Sequence, residues 1–214
     1  AELGVQQRLE VFRDVCLAVQ HAHQKGIIHR DLKPSNVLVA TEDGAPVPKV
    51  IDFGIAKIAA ENAADDAMKT EIGRVMGTPD YMSPEQAGAA PLDIDTRTDV
   101  YSLGVLLYEL LTGTRPFEVG AAIAEGRGEI LRSSQEVDPQ RPSTRVSTLG
   151  EESGDIASMR LANTATLSRA LRGDLDWIVM KALEKDRGRR YDSPGAFADD
   201  VERMLRGTKP GKIG

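Results

Sequence analysis

The chain has 214 residues, with 27 Lys and Arg against 33 Asp and Glu, a formal net charge of −6 and a single Cys. That length suits one domain, or one large lobe of a bigger one, and 41% hydrophobic with 28% charged residues excludes a disordered or fibrous chain. The acidic balance argues against a general nucleic-acid binder, which needs a basic surface to neutralise phosphates. Lone Cys16 excludes an intrachain disulfide framework and fits a reducing compartment.

No run is long enough to cross a bilayer: the most apolar, Val105 to Leu111, contains Glu109 and stops at Gly113, short of the roughly 20 residues required. The opening residues carry no signal-peptide pattern and read as the inside of a domain rather than its edge. Leu9, Phe12, Cys16, Val19 and His23 recur at helical spacing and predict an amphipathic helix over about 6–25, stopped by Gly26 as a left-handed cap. Ile27-Ile28, Val37-Leu38-Val39 and Lys49-Val50-Ile51 read as short β-type runs. The turn signal Asp43-Gly44 between the last two suggests a small hairpin with a long loop. From Asp52 to Glu85 the pattern is loop, with glycines, prolines and an Ala-rich acidic centre.

Asp99 opens the most apolar helix, about 99–112, hydrophobic nearly all round and therefore central. Residues 118–172 hold partial helical pattern, with a mobile insertion expected at about 133–155. Asp174 reads as the cap of a helix over Leu175 to Lys185, with Leu175, Ile178, Val179, Ala182 and Leu183 inward. Ser193-Pro194 is an N-cap followed by proline at the first helical position, and Phe197, Val201, Met204 and Leu205 form the buried face. Gly207 ends that helix, and 208–214 is expected to be a loose tail.

The chemistry-bearing stretch is His29-Arg30-Asp31-Leu32-Lys33-Pro34-Ser35-Asn36, followed sixteen residues past Asn36 by Asp52-Phe53-Gly54. Further on come Gly77-Thr78-Pro79-Asp80-Tyr81-Met82-Ser83-Pro84-Glu85 and Asp99-Val100-Tyr101-Ser102-Leu103-Gly104. In that order and spacing, these pieces resemble a protein kinase from its catalytic-loop helix to near its domain end. The wording "DLKPSN", "GTPDYMSPEQA" and "LDWIVMKALEKDRGRRY" is similar to bacterial eukaryotic-like (Hanks-type) serine/threonine kinases, and most resembles the planctomycete-type set. It departs at Arg187, where the family usually has Pro, and in the length between Asn36 and Asp52; neither touches the chemistry.

The resemblance implies an α+β, mainly α-helical, protein-kinase-like fold: the C-terminal lobe with small β-hairpins, over 1–207. It implies transfer of the ATP γ-phosphoryl group to Ser or Thr hydroxyls of protein substrates, with Mg²⁺. Asp31 would accept the hydroxyl proton and Lys33 would steady the transferring charge. Asn36 and Asp52 offer hard oxygen ligands suited to Mg²⁺ held largely by phosphates. Leu38 matches the position beneath the adenine, and Thr78 would bond toward Asp31. His29, Arg30, Phe53 and Gly54 belong to the scaffold of the loop. Glu85 would pair with Arg190, and Asp99 would hold the backbone of the His29-Arg30 turn. Arg30 beside Asp31 is the arrangement of kinases whose activation loop is ordered by phosphorylation. Thr70, the one hydroxyl side chain between Gly54 and Gly77, is the candidate switch.

A complete kinase domain also has an upper lobe, with a glycine-rich loop over the phosphates, a strand Lys and a helix Glu. None of these is present in 1–214, and glycine-dense Gly120 to Gly128 lies after D-F-G with no strand before it. The missing N-lobe is therefore an expected partner, and this chain alone is expected to be weak or inactive. The alternatives are a non-catalytic binding or regulatory module, or a fragment with no independent role. The need for ATP and the lone Cys imply a cytoplasmic location, with no nucleic-acid or membrane contact from this segment. Any membrane anchor of a full-length protein would lie outside it. His21 and His23 lie two apart on a helix and face different ways, so packing is preferred to a metal site with Cys16.

Overall fold

In the computed structural model, which describes residues 3–53, 79–87, 94–117, 138–150 and 152–211, the apolar stripe of Leu9, Phe12, Cys16 and Val19 is the buried face of helix α1, Val5–Gln24. Gly26, at φ +75°, turns the chain away and donates to His23 O at 2.9 Å. Ile27 spends its N–H on Ala22 O at 3.0 Å, the C-terminal turn of α1. Ile27-Ile28 is for that reason a helix exit rather than the strand its composition suggested.

A 3₁₀ turn at Pro34–Asn36 leads into strands β1, Val37–Glu42, and β2, Ala45–Val50, the one sheet among the described residues. The hairpin expected to have a long loop has a tight one. Asp43 (φ +50°) and Gly44 (φ +82°) are both left-handed, as a type I′ turn requires, and Glu42 faces Ala45 directly. Ile51 N–H donates to Asn36 O at 2.9 Å, which makes 36/51 a hydrogen-bonded pair and sets the alternation along the ladder. Pro46 and Pro48 then fall opposite Thr41 and Val39 at non-hydrogen-bonded positions, where proline costs β1 nothing. Their missing N–H groups blunt the outer edge of β2 against a further strand.

After a second 3₁₀ turn, Pro79–Tyr81, and the single-turn helix α2, Pro84–Ala87, comes the central helix α3, Arg97–Thr112. It begins two residues before the expected start and ends where Gly113 (φ +75°) donates to Glu109 O at 2.8 Å. Val100, Leu103, Val105, Leu107 and Leu111 are fully buried, and α3 touches α1 and three of the later helices. These later helices are α4, Pro142–Thr148; α5, Glu152–Ser158; α6, Thr164–Leu171; α7, Asp174–Ala182; and α8, Pro194–Leu205. Helix α8 lies along α1, where Phe12 meets Phe197 edge to face at 5.1 Å.

The insertion expected at about 133–155 is helical over 142–148 and from 152 on, with Val146 fully buried; residues 133–137 lie outside the described residues. Helix α7 is capped by Gly173, whose φ of +97° suits glycine, so Asp174 sits in the first turn, favourably toward the helix dipole. It also stops at Ala182 rather than Lys185, because the Glu184 and Lys185 carbonyls turn to face the Arg190 guanidinium, at 2.7 and 3.1 Å. The tail is tied back as far as 211: Thr208 N–H donates to Arg203 O and Gly211 N–H to Asp200 Oδ1, both at 2.8 Å.

Helices α3 and α7 approach most closely at Gly104, where an added Cβ would lie 2.9 Å from Ala182 Cβ and 3.3 Å from the Ala182 carbonyl carbon. A helical Gly→Ala change ordinarily gains about 1 kcal/mol, whereas overpacking against backbone costs about 1–3 kcal/mol. Gly104→Ala is expected to lower the urea midpoint of unfolding without changing the slope; a raised midpoint would refute the close packing.

Candidate active site

The site grows from a turn that two neighbours hold in place. His29 is fully buried, and its N–H donates to Asp99 Oδ2 at 2.8 Å, while the N–H of Arg30 donates to Asp99 Oδ1 at 2.8 Å. Asp99, in the first turn of α3, is itself fully buried. The His29 ring is fixed as well. Its Nδ1 accepts from Asp31 N–H (3.3 Å), so Nε2 carries the proton and donates to Ile51 O at 3.0 Å. The ring thus joins the loop that carries Asp31 to the residue before Asp52. Phe53 packs on its face, with ring centroids 4.7 Å apart.

Lys33 Nζ donates to Asp31 Oδ2 at 2.9 Å, so a cation lies beside the carboxylate on a partly open surface. Asn36 is buried; its Nδ2 donates to Asp31 O at 2.9 Å, which turns its Oδ1 the other way. The Asn36–Ile51 backbone bond at the base of the hairpin brings Asn36 alongside the residue preceding Asp52. Asp52 is exposed, and both Arg30 (φ +63°) and Asp52 (φ +56°) are left-handed, a conformation costing about 1–3 kcal/mol for non-glycine residues and typical of functional sites. Leu38 is half exposed on β1. An apolar groove of about 320 Å³, lined by Phe12, Val37, Val39, Leu106 and Leu110 among others, lies on the opposite face of that strand. Gly54, Thr70 and Thr78 lie outside the described residues.

Further from the carboxylate, Arg190 Nη1 and Nη2 grip Glu85 Oε1 and Oε2 at 2.7 and 2.8 Å. The other guanidinium N–H groups donate to the carbonyls of Glu184 (2.7 Å), Arg97 (3.1 Å) and Lys185 (3.1 Å), so all five donors are used. Thr98 Oγ1 also donates to Glu85 Oε1 at 2.9 Å. Burial alone would raise the Glu85 carboxyl, but the hydrogen bonds and charge of Arg190 outweigh it and leave it below its ordinary 4.5. A carboxyl lowered by folding stabilises the fold fully above that ordinary value and loses the contribution as pH falls through the folded value. Resistance to urea should therefore fall as the pH drops below the ordinary carboxyl value of 4.5, and Glu85→Gln should flatten that slope. Arg190→Ala, which leaves a half-buried carboxylate unpaired, is expected to cost about 3–5 kcal/mol.

One residue at this site was read from sequence as packing alone. His23 Nε2 lies 2.7 Å from Asp99 Oδ2, its ring almost fully buried, so α1 supplies the third donor to the carboxylate. The available signal was its place on the buried stripe, one turn before Gly26. Neither His21 nor Cys16 joins it, and no cluster of three or more His, Cys, Asp or Glu suited to a metal occurs among the described residues.

Residues 3–193 match the family model described as the protein kinase domain. The chain is 35% identical over 205 residues to the serine/threonine-protein kinase PknB of Mycobacterium leprae, covering 96% of this chain and 27% of that protein. It is 37% identical over 192 residues to the serine/threonine-protein kinase pkn3 of Myxococcus xanthus, covering 89% of this chain and 34% of that one. The chain thus spans about a third or less of these curated relatives. Among solved structures, the PknI kinase domain of Mycobacterium tuberculosis superposes with a TM-score of 0.58 at 22% identity, over 96% of this chain and 58% of that one. A buried aspartate holding an H-R-D turn, with Asn36 bonded to Ile51, the residue before Asp52, at the base of a hairpin, agrees with that match: the chain belongs to the protein kinase domain family.

Proposed function

We propose that the protein transfers the γ-phosphoryl group of ATP to serine or threonine hydroxyls of other proteins, and that this chain is the lower, C-terminal lobe of that enzyme. The observation that carries the reading is the Asp31–Lys33 pair at 2.9 Å, set on a loop fixed through Asp99 and His29. In the reaction, the Ser or Thr oxygen forms a bond to the γ-phosphorus as the bond to the β–γ bridging oxygen breaks. The hydroxyl proton passes to the Asp31 carboxylate and ADP leaves. Lys33 offsets the negative charge of the transferring group. The wording of the motifs supports a bacterial Hanks-type kinase of the planctomycete type, and the need for ATP supports a cytoplasmic location.

The residues present suit Mg²⁺. The Asn36 amide is oriented by its bond to Asp31 O, so that Oδ1 is its ligand atom, and Asp52 adds an exposed carboxylate. When bound, the ion would neutralise phosphate charge. Two protein oxygens are few, which fits an ion held largely by the nucleotide. The phosphate clamp and adenine roof would come from an upper lobe outside 1–214, so this chain alone should transfer little. Thr70 would be the phosphorylated switch that engages Arg30.

The test is intact mass after incubation with ATP and Mg²⁺, for the 214-residue chain and for a form carrying an upper lobe, each beside Asp31→Asn. Phosphate should appear on the two-lobe form and fall about 100- to 10,000-fold with Asp31→Asn. Equal transfer by the Asn variant would defeat the role of Asp31, and transfer by the chain alone would defeat the need for a roof. In the two-lobe form, Thr70→Ala should lower activity; unchanged activity would remove Thr70 as the switch.

A further inference from the structure

The peptide group between Arg30 and Asp31 carries the carboxylate, and both of its polar atoms have partners. Its N–H donates to His29 Nδ1 at 3.3 Å. Its carbonyl, Arg30 O, accepts from Gln86 Nε2 at 2.8 Å. The orientation of the Gln86 amide is decided by Ser83, whose N–H can only donate and meets Gln86 Oε1 at 3.1 Å. Ser83 Oγ donates to the same oxygen at 3.2 Å. With the oxygen facing Ser83, the NH₂ group faces Arg30 O.

We propose that Gln86 is a positioning residue for Asp31, a role that rests on the kinase reading above. Arg30 sits at φ +63°, which persists only when its surroundings over-determine it. Asp99 fixes the N–H side of that residue at 2.8 Å, and Gln86 fixes the carbonyl side. Gln86 belongs to α2, directly after Glu85, so the Glu85–Arg190 pair also seats the donor that holds the Arg30 carbonyl. The end of the activation segment and the peptide before the catalytic carboxylate form one hydrogen-bonded unit. A shift of α2 withdraws the donor, frees the peptide to rotate and moves Asp31 off line. A methionine at 86 keeps the length of the side chain and loses both polar atoms.

Two readouts test this. In the 214-residue chain, amide exchange measured residue by residue should speed up at Arg30 and Asp31 in Gln86→Met by about tenfold or more, one decade being 1.4 kcal/mol of lost protection. In the two-lobe form, Gln86→Met should lower kcat on the order of tenfold to a hundredfold, with KM for ATP unchanged, as misplacement of a reacting group does. Val146→Ala, which opens a cavity at a fully buried position of α4, serves as the control and should keep its kcat when assayed well below its Tm. Unchanged exchange in Gln86→Met overturns the proposal, as does a kcat within twofold of the unaltered protein or a loss matched by Val146→Ala. Absence of transfer by the unaltered two-lobe form would defeat the kinase reading instead, and exchange at Asp31 would still decide whether Gln86 holds the peptide.

Discussion

A carboxylate with no access to water organises this molecule. An ionised aspartate in an apolar interior is costly unless its oxygens are fully engaged. Asp99 meets that condition with three donors, the N–H groups of His29 and Arg30 at 2.8 Å and His23 Nε2 at 2.7 Å. Its place in the first turn of α3 adds the favourable end of the helix dipole. The apolar faces of α3 decide where that helix lies, and the helix decides where Asp99 lies. Asp99 in turn decides how the chain turns through His29 and Arg30. The position of the central helix therefore reaches the chemistry through this side chain, while Leu32, fully buried beside Asp31, ties the loop to the core directly.

The second tie has a different character. Breaking a buried pair such as Glu85–Arg190 is costly, although making it contributes little net stability, because both ions must first leave water. Its worth lies in geometry. A guanidinium has five donors in a rigid fork, and each meets an oxygen here. Lysine, with a compact head and three rotatable donors, could not span the carboxylate and three separate carbonyls. The same guanidinium lies 5.0 Å over the Tyr101 ring, so α3 is also part of the joint. Two of the carbonyls are those that end α7, so one arginine both terminates a helix and anchors α2.

Much of this was legible in the sequence, and what was not has a common cause. Periodicity located α1 and α8 because each buries one continuous stripe, and α3 was located by its all-round apolar run; the Ser193 cap, with Oγ accepting from Ala196 N–H at 3.2 Å, is written locally in Ser-Pro. The motifs named Asp31, Lys33, Asn36 and Asp52. Boundaries decided by distant partners were not legible. Helix α7 stops early because of Arg190, and Ile27-Ile28 fails to pair because α1 takes its N–H. His23 and Gln86 were missed because a histidine on a buried stripe or a glutamine after Pro-Glu looks ordinary until another segment is placed against it.

The hairpin explains how the interval between Asn36 and Asp52 could change in length without moving the residues at its base. Two strands alone are marginally stable, and this pair is held at its base, where Ile51 N–H meets Asn36 O at 2.9 Å and β2 lies against α1. The turn at Asp43-Gly44 is at the far end. Lengthening both strands equally moves that turn outward and leaves the 36/51 pair, and with it Asp52, where they were. A one-residue slip between the strands is another matter, since it would reverse the faces of β2 and carry Asp52 away from Asn36. Register is guarded by the left-handed turn at one end and by the buried Asn36, bonded to Asp31 O, at the other. Length is free to vary at the tip while the oxygen donors at the base stay together.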